Sequence, residues 1–492
     1  MKKVLVANRG EIALRIMRSL RKMGIESVAV YSEADANSPF VNFADYAFLI
    51  GPAPSSESYL KGDYIIEVAK QNHCDGIHPG YGFLSENAGF AESVTKSGIK
   101  FIGPSPHSIR IMGSKLDAKD AVKNYDIPMV PGTDTAIKDI PEAKKIAETI
   151  GYPILIKASA GGGGKGMRIV ESADQFISQM ERAISEAESA FGDGSVFIEK
   201  YVTSPRHIEI QVLCDAHGNA IHLFERECSI QRRHQKVVEE APSTVVDSEM
   251  RSRMGEAAIK VAKSCNYEGV GTVEFLLDGD KNFYFLEMNT RLQVEHPITE
   301  MISGVDLVEE QIKVARGEQL SIKQEDLSIR GHAVELRVYA EDPENNFLPS
   351  IGTMEVYETP KGEGIRVDDS FTQGMQIPIY YDPMIAKLIT HAPTRELAIK
   401  KMRKAIRAYN ITGIRTTLGF GDFVMESDAF VSGNYDTHFV KKYFSKEKME
   451  EKEIEEGRVA ASFAKLLWEQ ESAKLRVPES KHSHWSNLNR NV

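Results

Sequence analysis

The spacing of apolar and polar positions divides the chain into stretches of different character. Through residues 1–114 short apolar runs alternate with helical spacing: 3–7 reads as a strand, 12–23 as an amphipathic helix and 27–31 as a second strand. Strands alternating with helices predict a parallel sheet with βαβ crossovers, a Rossmann-like arrangement. From Gly113 the pattern changes to a charged helix over 115–124, then a proline-rich hinge or boundary at 127–132. Strands are predicted at 152–159, 167–171, 196–202, 207–213 and 220–227, with 196–202 breaking at Glu199-Lys200. A helical stretch at 305–315 ends at Gly317, and 332–341 then alternates cleanly. Val334, Leu336, Val338 and Ala340 share one face of that strand; Glu335, Arg337, Tyr339 and Glu341 share the other. It opens a mostly β region running through 365–369 and 377–389 and closing with a helix at 395–409. In the tail, the charge run 445–453 predicts an exposed helix, 461–471 a short amphipathic helix, and the polar residues from Ala473 disorder.

The densest polar patterning falls between Gly271 and Glu300. Glu287, Asn289, Arg291, Gln293 and Glu295 occupy alternate positions and, in an extended backbone, would form one polar row. The preceding 272–277 is apolar and β-branched apart from Glu274, and Asp278-Gly279-Asp280-Lys281 is a turn sequence, so the whole reads as a β-hairpin. A turn centred on Asp280 and Lys281 opposes Glu274 to Glu287; a tight Asp278-Gly279 turn opposes Glu274 to Phe283. Two facing carboxylates repel unless one takes a proton or a cation lies between them. Hard oxygen ligands suit magnesium, which binds through one or two carboxylates together with substrate phosphates, so the row points to a nucleotide.

Composition narrows the function classes. The 492 residues suffice for roughly three domains, and 42% hydrophobic with 27% charged residues is a globular mixture. A net charge of −11 disfavours a general nucleic-acid binder, leaving basic residues to act locally. The amino terminus enters a strand-like run without a signal h-region, and no run reaches membrane-spanning length, so a cytoplasmic protein is expected. Cys74, Cys214, Cys228 and Cys265 show no CxxC pairing and are expected to be buried free thiols.

Other segments carry chemistry of their own. Asn8-Arg9-Gly10-Glu11 lies at the first strand-to-helix turn, but GxGxxG is missing and the first domain reads as scaffold. His78-Pro79-Gly80-Tyr81-Gly82-Phe83 is a tight loop, either a structural turn or a site lining. Ala160 to Gly166 is glycine-rich and contains Lys165, yet no Ser or Thr follows the lysine and the next element reads as a strand, so it is not a Walker loop. A mobile hairpin folding over a triphosphate, with Lys157 entering it, or a plain linker are its two readings. Glu199-Lys200 at a strand end suits an adenine amino group and ribose. The run Cys228 to Lys236 concentrates basic residues; beside the Glu287 row it becomes an anion site. For Arg337, surface and functional readings both stand.

Together these segments resemble the ATP-grasp fold and, more narrowly, the biotin carboxylase component of biotin-dependent carboxylases, over residues 1–444. The resemblance is carried by Asn8-Arg9-Gly10-Glu11-Ile12-Ala13, the His78 to Asn87 segment, Gly161 to Gly166, His234-Gln235-Lys236 and the Glu287 to His296 segment. It implies a Rossmann-like domain at 1–114, an ATP-grasp domain at 115–330 with a lid at about 131–203, a mostly β domain at 331–445, and a tail at 446–492. It further implies nucleotide contacts from Lys115, Lys157, Gly163, Gly164, Lys165, Gly166, Met167, Glu199, Lys200, Val202, His207, Gln231, His234 and Leu276, with Lys115 and Lys157 on the phosphates. Glu274, Glu287 and Asn289 match magnesium (or manganese) ligands. Arg291, Gln293, Val294 and Glu295 match the bicarbonate site, Lys236 lies between bicarbonate and the transferred phosphate, and Arg337 faces the biotin ureido oxygen. Glu295 would deprotonate bicarbonate for attack on ATP, giving carboxyphosphate and then carboxybiotin. No Met-Lys-Met biotin-attachment sequence and no carboxyltransferase domain follow, so the expected partners are a separate biotin carboxyl carrier protein, carboxyltransferase subunits and a second copy of the chain in a homodimer.

Overall fold

The computed structural model describes residues 1–133, 135–158, 167–191, 194–233 and 235–474. The expected parallel sheet is present: Tyr46–Gly51, Glu26–Ser32, Lys3–Val6, Gly76–His78 and Lys100–Phe101 lie side by side in that order, each pair parallel. The first strand hands over to the helix Gly10–Lys22 at Gly10, whose φ of 65° suits a residue without a Cβ. That helix buries Ile12, Ala13, Ile16, Met17 and Leu20 in a core shared with Leu213, Leu223, Val270 and Leu292. The shared core holds the Asn8 turn against the central sheet.

That central sheet is antiparallel and eight-stranded, in the order Phe283–Asn289, Gly269–Leu277, Arg206–Cys214, Ala220–Arg232, Gln235–Ala241, His332–Tyr339, Met384–Ala392, Ile365–Asp369. It runs without a break across residue 331, because Gln235–Ala241 pairs with His332–Tyr339. Both faces of His332–Tyr339 are buried, so the side carrying Glu335 and Arg337 is an interior polar layer and not a solvated one.

A separate three-stranded sheet, Met167–Val170, Ile154–Ala158 and Val196–Lys200, is backed by the helices Ile140–Ile150 and Ala173–Phe191. It has its own core of Ile154, Ile156, Phe176, Met180 and Ile198. The glycine-rich segment joining two of its strands lies outside the described residues.

Several expectations are corrected. The strand expected over 196–202 ends at Lys200: residues 196–200 pair with Ile154–Ala158, so Glu199 and Lys200 are its last two residues and the strand does not resume after them. The basic run at 228–236 is mostly strand, since Ala220–Arg232 continues to Arg232 and its partner begins at Gln235. Within 377–389 strand pairing begins only at Met384. From Phe444 the tail is a unit of its own, in which the two predicted helices are one, Lys446–Lys474, Glu455, Glu456, Arg458 and Ala460 carrying helical propensity through the intervening stretch; the residues from 475, expected to be disordered, lie outside the described residues. On that helix Val459, Phe463, Leu466 and Trp468 are exposed. No helix among the described residues is long and apolar enough to cross a membrane.

Candidate active site

The hairpin Gly269–Leu277/Phe283–Asn289 opposes Glu274 to Glu287, through a route neither turn alternative anticipated. Its loop is closed by Asp278 and Asn282, which pairs Phe275 with Phe285. A β-bulge between Glu274 and Phe275 then shifts the register by one and restores the carboxylate pair. The polar row, by contrast, does not continue as a strand. Pairing ends at Asn289, and residues 290–295 run through an irregular turn into the helix His296–Ser303.

Despite leaving the sheet, the row converges on Glu274. Asn289 Nδ2 and Gln293 Nε2 each donate to Glu274 Oε1 at 2.9 Å, and Arg291 Nη2 donates to Asn289 Oδ1 at 2.9 Å. Lys236, from the strand after the basic turn, places its ammonium 2.9 Å from Glu274 Oε1, 2.6 Å from Glu295 Oε1 and 2.5 Å from Glu209 Oε2. His207 Nε2 lies 3.0 Å from Glu274 Oε2, and its Nδ1 meets the Gln231 amide at 3.2 Å. Burial opposes the charge on Glu274 and Glu295. Lys236 and His207 more than offset this at Glu274, as Lys236, Arg337 and Arg226 do at Glu295, so both carboxyls lie well below the usual range. Burial lowers and the three carboxylates raise the Lys236 ammonium, which ends well above its ordinary value.

Ligand atoms of His207, Glu209 and Glu274 all lie within 4.8 Å of one another. With Glu287 across the ladder and Asn289 beside it, this set offers mainly hard oxygen donors and fits a small divalent cation.

Arg337 reaches the other oxygen of Glu295, with Nη2 2.9 Å from Glu295 Oε2 and Nε 2.6 Å from Glu239 Oε1. It lines a cavity of about 560 Å³ together with Arg291, Val294, Glu11, Tyr81 and Asp382. The Asn8 turn and the His78 loop therefore reach this cavity. Asn8 Nδ2 holds the loop through the Pro79 and Tyr81 carbonyls, each at 2.7 Å. Further along the loop, Glu86 accepts from Arg291 Nε at 2.8 Å and from the Thr290 amide at 3.1 Å.

A second cluster lies on the three-stranded sheet, where Glu199 accepts from both Lys157 and Lys119. Burial acts to raise the Glu199 carboxyl, and these two ammonium groups bring it below its ordinary range. Lys200 points elsewhere, donating to the Gly151 and Tyr152 carbonyls at 2.8 and 3.0 Å. Val202 is buried, Leu276 is half-buried opposite His207 in the ladder, and Met167 is 45% exposed. Lys115 opens a helix capped by Ser114; Gly163, Gly164, Lys165, Gly166 and His234 lie outside the described residues.

Sequence reasoning missed Arg226, Glu209, Glu239 and Lys119. Arg226 is fully buried and donates to Glu209, Gln211, Thr272, Thr299 and Gln293, fixing the amide of Gln293. The alternate polar positions His207, Glu209 and Gln211 in an apolar strand were the available signal; for Glu239 and Lys119 only the fold supplies the proximity.

An antiparallel sheet bearing a carboxylate and lysine cluster, with a small glycine-linked sheet carrying its own Lys-Glu pair, defines an ATP-grasp enzyme. Family models match in succession: biotin carboxylase, N-terminal domain, over residues 1–109; carbamoyl-phosphate synthase L chain, ATP binding domain, over 114–323; and biotin carboxylase C-terminal domain over 335–442. The chain is 54% identical over 442 residues to a pyruvate carboxylase subunit of Methanothermobacter thermautotrophicus, covering 90% of each. It is 52% identical over 443 residues to biotin carboxylase 1 of Bacillus subtilis, covering 90% of this chain and 98% of that one. A solved structure, the biotin carboxylase domain of thermophilic 2-oxoglutarate carboxylase bound to bicarbonate, superposes with a TM-score of 0.86 at 46% identity, covering 90% of this chain and 98% of that one. The chain belongs to the biotin carboxylase family, whose members are ATP-dependent ligases.

Proposed function

We propose that this chain carboxylates biotin presented by a separate carrier protein, consuming ATP and bicarbonate, as the first half-reaction of an acyl-CoA or pyruvate carboxylase. The observation that carries this reading is the single Lys236 ammonium shared between Glu274, the candidate metal ligand, and Glu295, the candidate base. A group in that position touches both the phosphate being transferred and the bicarbonate that receives it. Lys157 and Lys115 would hold the ATP phosphates, and the strand containing Glu199, Lys200 and Val202 the adenosine. Glu274, Glu287 and Asn289 would hold magnesium, which supplies charge neutralisation on the phosphoryl oxygens when bound.

Without substrates, Lys236 and Arg337 depress the basicity of Glu295. Bicarbonate and the γ-phosphate draw Lys236 toward themselves, and the biotin ureido oxygen draws Arg337. Each departure leaves Glu295 buried with less positive charge and raises its proton affinity when a base is needed. Glu295 then takes the bicarbonate proton, the bicarbonate oxygen attacks the γ-phosphorus, and the bond to ADP breaks. Carboxyphosphate releases CO₂ and phosphate; the phosphate takes the biotin N1′ proton, Arg337 stabilises the charge on the ureido oxygen, and N1′ attacks CO₂.

The same reading includes a carboxyltransferase partner and a homodimer. A cytoplasmic setting suits the four free, buried cysteines. The test is product analysis: MgATP, bicarbonate and free biotin should yield ADP, phosphate and carboxybiotin in equal amounts.

A further inference from the structure

We infer that Lys387, with Glu11 as its counter-ion, is a positioning residue for the bicarbonate site. Lys387 lies in the strand Met384–Ala392, is fully buried, and sits opposite Arg337 in the ladder. From these paired positions two cations grip consecutive residues: Arg337 holds the Glu295 carboxylate at 2.9 Å, and Lys387 donates to the Val294 carbonyl at 2.9 Å. Lys387 also lies 3.2 Å from Glu11 Oε2, on the first helix, and 3.9 Å from Asp368. One ammonium thus ties together the amino-terminal turn, the turn bearing the base and the carboxyl-terminal strands. Glu11 is buried, and Lys387 is the nearest cation to its carboxyl; that charge offsets the burial only in part, so the carboxyl is pushed up to about 7. Residues 290–295 have left the sheet and lack a ladder to fix them. Their backbone is held at the Thr290 amide by Glu86 and at the Val294 carbonyl by Lys387, and the Gln293 amide and Glu295 carboxylate flank the second point.

The inference rests on the reading of Arg291 to Glu295 as the bicarbonate site. Lys387→Met and the double variant Glu11→Gln/Lys387→Met would be compared with wild type for bicarbonate KM, ATP KM and thermal midpoint. Loss of the hydrogen bond should raise bicarbonate KM about tenfold in both variants, with ATP KM close to wild type. The double variant, which removes the Glu11 charge together with Lys387, should melt nearer to wild type than Lys387→Met. If Lys387→Met does not fold, the double variant alone decides. An unchanged bicarbonate KM in a folded double variant, or bicarbonate and ATP KM rising together, overturns the inference. Wild-type ADP release that ignores bicarbonate overturns the underlying site reading instead.

Discussion

Replacing Glu295 with Gln separates the proposed base from the architecture that holds it. The side chain is 2% exposed and accepts from Lys236 at 2.6 Å and Arg337 at 2.9 Å. Removing one partner of a buried ion pair ordinarily costs about 3–5 kcal/mol, because the other charge is stranded. Neither cation is stranded here: Lys236 keeps Glu209 and Glu274, and Arg337 keeps Glu239. Gln still offers one oxygen, so the loss is one charge-assisted hydrogen bond, about 1.5–3 kcal/mol. The variant should therefore fold and bind ATP as wild type does. Its bicarbonate-dependent turnover should fall about a hundred- to ten-thousandfold, the range for removal of a general base. Coupled-enzyme ADP release gives the rate, and calorimetric titration with a non-hydrolysable ATP analogue gives the affinity. A large loss of ATP affinity, or turnover within a few-fold of wild type, would refute the assignment.

Glu199→Gln should weaken ATP binding about tenfold by releasing Lys157 and Lys119 from their shared carboxylate, with bicarbonate KM unchanged; equal changes in both constants would contradict it. Glu287→Gln should raise the magnesium concentration for half-maximal rate, and equilibrium binding of Mn²⁺ should weaken in parallel; unaltered Mn²⁺ binding would remove Glu287 from the ligand set. At acid pH, burial acts to raise the Glu240 carboxyl, but His332 and Arg395 outweigh it and hold it at about 2. Because this value lies below that of the unfolded chain, Glu240 stabilises the fold above about pH 4. That contribution, roughly 3 kcal/mol, is lost as pH falls toward 2. Thermal melts of Glu240→Gln should show a shallower acid slope than wild type, and parallel slopes would exclude this group as a contributor.

The strand and helix rhythm of residues 1–114 was legible because each element follows its own period, and the hairpin around Glu274 because its turn residues interrupt two apolar runs. The bulge that aligns Glu274 with Glu287 was not, since a one-residue irregularity leaves the apolar pattern unchanged. The straight row through Glu295 misread a period-two pattern as a strand where the chain actually turns, with Arg226, Glu274 and Lys236 collecting the polar groups. Arg337 stood undecided on a polar face because alternation reports only that two faces differ. Burial of that face follows from strand neighbours far off in sequence, such as Glu239, 98 residues away. Glu11 stood in a motif, but its pairing with Lys387 was invisible for the same reason: it is made by three segments meeting at one point.

The most direct test of the account is ADP release by the purified chain with MgATP, measured with and without bicarbonate and with and without free biotin. The account predicts that the full rate requires both bicarbonate and biotin. Turnover independent of bicarbonate, or none at all from a folded chain that binds ATP, would contradict it.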